Sequence, residues 1–233
     1  MNLEIIYEDE YLIAINKPHG LLVHRSSIAT NTDLYALQLL RNQVGYHVFP
    51  VHRLDRKTAG VLLFSKTAEF VAPVQQTLHK ESTAKRYHAI VRGFFPEEII
   101  VDYALTNDKG KTQEAITLFK CIQRTELPIA LGKHETSRYS LIEAYPKTGR
   151  MHQIRKHLNH LRHPIIGDRP HGCNKQNKLF LEKWQLNTML LDAKELTFIH
   201  PASRETIHIK ADYSEEFVRI STALFFTSNL EIN

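Results

Sequence analysis

Residues 51–64 read VHRLDRKTAGVLLF. One carboxylate, Asp55, sits among His52, Arg53, Arg56 and Lys57, and Thr58 and Gly60 then turn the chain into the apolar run Val61–Phe64. Cations on both sides favour the ionised form of a carboxylate. An ionised acid in a positive field suits nucleophilic or electrostatic work on the sugar or base of a polyanion. Taken alone, such an Asp is more often a solvated ion pair, so its meaning depends on what flanks it.

The pattern H-R-L-D-x-x-T-x-G followed by an apolar strand resembles the catalytic motif of the RluA-type pseudouridine synthases, with Ala59 where that family usually carries Ser. Residues 85–93, KRYHAIVRG, are similar to the family's K-x-Y-x-A-x-V strand and put Tyr87 at the position of its active-site tyrosine. Residues 146–158, PKTGRMHQIRKHL, followed by HPIIGD at 163–168, resemble a third signature. In it Arg155 stands where the family has the basic residue that pairs with the catalytic Asp. The opening, YEDEYLIAINKPHGLLVH at 7–24, resembles the start of the family's catalytic domain.

The resemblance implies an α+β pseudouridine synthase fold: a mixed, mostly antiparallel central sheet with flanking helices and an RNA-binding catalytic cleft. It implies a single catalytic domain over residues 1–233, with no separate N-terminal RNA-binding domain. The reaction breaks a uridine's glycosidic bond, rotates the base and rejoins it through carbon. Substrate and product are isomers, so no cofactor and no metal are expected. Asp55 is the expected essential carboxylate, Tyr87 packs on the target base, and Arg155 holds Asp55 bidentately. Arg53, His52, Arg56, Lys85, Arg150 and His152 are the expected substrate-binding residues. Asp168, a second acid, reads as a turn residue with a structural role.

Within the family, GLLVHRS, KRYHAIVRG and HPIIGDRPHG resemble a branch that acts on tRNA and is associated with its uridine 65. The same chemistry on ribosomal RNA, and a non-catalytic RNA-binding protein of the same fold, are the rival readings. A base must leave its stack before such chemistry, at a cost of about a few kcal/mol. Arg53, two positions before Asp55, is expected to fill the vacated space with its guanidinium plane.

The distribution of charge agrees with a polyanion substrate. Segments 52–57, 85–88, 147–157 and 162–171 hold 11 of the 30 Lys and Arg but only 2 of the 25 acids, while the remainder is slightly acidic. Cations gathered around motifs fit an RNA-binding face better than a generally basic surface. The two cysteines, Cys121 and Cys173, have no metal-ligand spacing and fit a reducing cytoplasm. No apolar run reaches the ~18 residues of a membrane span, and the acidic start MNLEIIYEDE is unlike a secretory signal. A monomer is expected.

Periodicity places strands at 3–7, 11–15, 21–24, 61–65, 85–93, 115–119 and 138–145. Helices are expected from a Thr30 or Asn31 cap to about Gln43 with Leu34, Leu37 and Leu40 on one face, and from Thr67 to about Lys80 with a kink or late start at Pro73. A third runs from Arg150 to about Leu161, with Met151, Ile154, Leu158 and Leu161 as its apolar stripe and His152, Arg155 and Asn159 on another face. Residues 177–184 and 215–224 read as further helices, the last capped by Ser214, and 189–191, 196–199 and 206–209 as strands. The tail TSNLEIN reads as frayed.

Overall fold

In the computed structural model, residues 1–24 and 34–226 are described. The elements follow as β1 (Glu4–Glu8), β2 (Leu12–Lys17), α1 (Ala36–Val44), β3 (Phe49–Pro50), β4 (Ala59–Ser65), α2 (Val71–Leu78) and β5 (Ala84–Arg92). Next come β6 (Glu98–Asp102), β7 (Leu105–Thr106), β8 (Thr112–Gln113), β9 (Ile116–Leu127), β10 (Ser137–Pro146) and α3 (Gln153–His160). The chain closes with α4 (Asn174–Trp184), β11 (Leu191–Ile199), β12 (Thr206–Lys210) and α5 (Glu215–Phe225). The class is α+β. The chain forms two compact units, Met1–Lys85 with Ala193–Ser214, and Arg86–Asp192 with the segment from Glu215 onward.

In the first unit the strand order is β1-β2-β4-β11, with β12 on β11 and the short β3 on β4. β2 and β4 pair antiparallel from Leu12↔Ser65 to Lys17↔Gly60. Their near-continuous apolar sequences have a physical reason, since both faces are covered: Leu12, Ala14, Val61 and Leu63 pack with Val74 and Leu78 of α2 and with Leu196 and Phe198 of β11. Ile13, Ile15, Leu62 and Phe64, pointing the other way, are equally buried.

The second unit has the strand order β5-β10-β9-β6. β5 pairs antiparallel with β10, placing Tyr87 opposite Ala144. Side chains alternate between two cores. Ala89, Val91, Ile142 and Ala144 pack under Ile154 and Leu158 of α3, with Tyr87 at the margin. Ile90 and Tyr139, on the other face, meet Phe180 of α4 and Phe217, Ile220 and Leu224 of α5.

Some boundaries differ from the sequence expectation for identifiable reasons. The expected caps Thr30 and Asn31 lie outside the described residues, as does the tail 227–233. α1 starts at Ala36, where the carbonyls of Leu22 and Val23 accept the N–H groups of Ala36 and Leu37 and serve in place of a side-chain cap. Leu34 is exposed, and residues 21–24 make only an isolated bridge, Leu22 with Tyr35. α2 starts late, at Val71, which leaves Pro73 in the first turn where its missing N–H has no intrahelical role. β9 extends to Leu127, beyond the strand expected at 115–119. α3 starts at Gln153, which leaves Met151 ahead of it and exposed; within it Ile154 and Leu158 are buried as the stripe requires, and Arg155 is buried as well. Among the described residues no helix is long and apolar enough to cross a membrane.

Candidate active site

Asp55 opens a tight turn in the first unit, closed by the Thr58 N–H donating to the Asp55 carbonyl at 3.1 Å. Gly60 follows, with φ of +106° and so little room that a Cβ there would lie 2.1 Å from the Ala193 carbonyl oxygen. Only glycine fits that combination. The motif therefore ends in Gly because β4 must pass close to β11 just after the turn.

The segment 16–20, Asn-Lys-Pro-His-Gly, holds the turn from outside. The Gly20 N–H donates to the Arg56 carbonyl at 2.9 Å, and Arg56 Nε donates back to the Gly20 carbonyl at 2.9 Å. Lys17, fully buried, donates Nζ to the carbonyls of Pro18, Leu21 and Arg56 at 2.8, 2.9 and 3.3 Å. His19 Nδ1 lies 2.6 Å from the Lys57 carbonyl. The sequence reading took this stretch as part of the opening of the catalytic domain and assigned no role to its lysine. The signal it passed over is a lysine closing the apolar strand YLIAINK, where a buried cation needs several acceptors.

The residues expected to bind substrate divide into two kinds. Arg53 and Arg56 are exposed and Asp55 is half-buried. His52 departs from expectation: its Nε2 accepts the Leu63 N–H at 3.1 Å. Burial, with the Lys85 cation adding to it, pushes its pKa down to about 4. It is a neutral ring that ties the motif to β4, not a cation offered to phosphate. Lys85 is half-buried and donates Nζ to the Leu78 carbonyl at 3.2 Å, and burial lowers its pKa. Arg56, through its bond to Gly20, also belongs to the framework of the turn.

Tyr87 is half-buried in the second unit. Arg155, on α3, is buried, and its Nε and Nη2 donate to the two oxygens of Asp168 at 2.7 and 2.8 Å. Asp168, read from the sequence as a turn residue with a structural role, thus takes the Nε and Nη2 edge of the Arg155 guanidinium. Asp168 Oδ1 also accepts the His171 N–H at 3.2 Å, and Asn177 braces the turn through the Asp168 carbonyl and the Gly167 N–H at 2.7 and 2.9 Å.

Arg150 donates Nε to the Glu114 carbonyl at 2.9 Å, while its N–H is met by Gln153 Oε1 at 3.0 Å. His152 precedes α3 in a left-handed conformation, φ +56°, with Nδ1 2.9 Å from Nε2 of His171. One ring must donate and the other accept, and burial lowers the pKa of His171. Among the described residues no group of three or more His, Cys, Asp or Glu side chains gathers as a metal ion would require.

A sequence profile of the RNA pseudouridylate synthase family matches residues 11–160. A protein of Vibrio parahaemolyticus named tRNA pseudouridine synthase C is 44% identical over 95% of each chain. One of the same name from Vibrio cholerae is 42% identical over 99% of each. Among solved structures, human RNA Pseudouridylate Synthase Domain Containing 4 superposes with a TM-score of 0.71 at 25% identity, covering 94% of this chain and 91% of its own. Human RNA Pseudouridylate Synthase Domain Containing 1 gives 0.72 at 20% identity, covering 91% and 84%, a likeness of fold. The chain belongs to the RNA pseudouridylate synthase family, and it is an isomerase that converts an RNA uridine to pseudouridine.

Proposed function

We propose that the protein is a tRNA pseudouridine synthase acting in the cytoplasm as a monomer and a single catalytic domain, on one uridine of tRNA, the residue at position 65. The observation that carries this reading is the nearly full-length likeness to proteins named tRNA pseudouridine synthase C. In it Asp55 is the essential carboxylate on a turn whose carbonyls are held from outside, Tyr87 packs against the target base, and Arg155 orients Asp55. Arg53 fills the space that the flipped uridine leaves. Arg56, Lys85, Arg150 and His152 bind the RNA around it, and His52 supports the turn from below.

The bond from the sugar to the base nitrogen breaks and one to carbon 5 forms, while carbon 5 gives up its proton and the freed nitrogen takes one, so the protein's task is to hold the detached base and the sugar together while the base turns. Positioning and electrostatics serve that task. The test is tritium release from RNA labelled at uridine carbon 5, offered as unmodified tRNA and as ribosomal RNA fragments. Release from tRNA supports the reading; release from ribosomal RNA alone would keep the chemistry and replace the substrate.

A further inference from the structure

We propose that His19 is a positioning residue for the catalytic turn, holding the Lys57 carbonyl and thereby the geometry of Asp55. The proposal rests on the reading of Asp55 as the essential carboxylate.

A four-residue turn closes one hydrogen bond, here from the Thr58 N–H to the Asp55 carbonyl, and its two middle carbonyls point outward. Those carbonyls belong to Arg56 and Lys57. Arg56 meets the Gly20 N–H and Lys17 Nζ. Lys57 meets His19 Nδ1 at 2.6 Å. A carbonyl oxygen only accepts, so this contact fixes a proton on Nδ1. The other nitrogen, Nε2, lies 2.8 Å from Ser214 Oγ, a hydroxyl able to donate to it. Ser214 therefore holds the far edge of the ring while the near edge grips the turn. His19 is half-buried and touches backbone, so it acts on Asp55 through the turn.

The two nitrogens can be separated by substitution. In His19→Asn the side-chain amide reaches about the place of Nδ1 and keeps a donor for Lys57. In His19→Gln it reaches about the place of Nε2, keeps Ser214 and loses Lys57. With the full chain in the tritium-release assay, His19→Gln should lose about 10- to 100-fold in kcat, the effect of a small misplacement of a reacting group. Its KM and melting temperature should stay near wild type, and His19→Asn should restore most of the rate. Wild-type kcat in His19→Gln would overturn the proposal. So would equal losses in both variants, or losses that follow the melting temperature. Asp55→Asn is run beside them. Turnover in that variant would remove the reading of Asp55 itself, whereas a dead Asp55→Asn with a fully active His19→Gln would remove only the role of His19.

Discussion

Arg155 and Asp168 face each other through two hydrogen bonds, Nε to Oδ2 at 2.7 Å and Nη2 to Oδ1 at 2.8 Å, with both side chains almost wholly buried. A paired fork of this kind fixes the plane of the guanidinium as well as its position. The residue assigned to orient the catalytic acid is thus itself oriented by a second acid on the turn that follows its helix. Asp168→Ala should lower stability by about 3–5 kcal/mol, the usual cost of removing one partner from a buried pair. Asp168→Asn, which keeps the shape and one acceptor oxygen, should cost less and still reduce kcat. Urea unfolding and tritium release check the two effects, and an Asp168→Ala protein as stable as wild type would contradict them.

His52 supplies a pH dependence whose sign is fixed. Its folded-state pKa, about 4, lies below the ordinary value of 6.5, so between these values the unfolded chain binds more protons than the folded one. Stability from this ring is fully present above about pH 6.5 and is lost as pH falls towards 4, by up to about 3 kcal/mol. His52→Gln offers the Leu63 N–H an acceptor that does not titrate. Melting curves from pH 7 to 4.5 should fall less steeply for that variant than for wild type; parallel curves would contradict the assignment.

Gly60→Ala places a methyl group against the Ala193 backbone in a left-handed conformation, and should cost about 3 kcal/mol or more. Gly110 also has a positive φ, +77°, but open space around it, so Gly110→Ala should cost only about 1 kcal/mol of backbone strain. Thermal melts of the pair separate conformation from close approach. Equal losses would remove the argument from close approach to β11.

Arg53 is exposed beside the turn. If its guanidinium fills the space of the flipped base, Arg53→Ala should reduce turnover on folded tRNA far more than on an unstructured oligonucleotide carrying the same uridine. Equal loss on both substrates would contradict the role.

The fold was legible because the informative residues are local. The apolar runs of β2 and β4, the alternation along β5 and the stripe of Ile154 and Leu158 each declare an element within a few residues. The partnerships were less legible, because they join residues distant in sequence. Nothing local tells that Lys17 meets Arg56, 39 positions on, or that His52 turns its ring to the Leu63 N–H. Asp168 was seen, but a Gly-Asp turn looks structural unless its partner is known, and Arg155 looked like part of a polar helix face until burial showed otherwise. Charge concentration alone could not separate exposed Arg53 from His52, whose ring is spent on the Leu63 N–H.

The central claim, that Asp55 performs uridine isomerisation on tRNA, is tested most directly by tritium release from tRNA labelled at uridine carbon 5, with wild type and Asp55→Asn side by side. Release by wild type alone, with both proteins equally folded and both binding tRNA, is the expected result. Release by both would deny Asp55 its role, and release by neither, with tRNA still bound, would contradict the account of this chain as an active tRNA synthase.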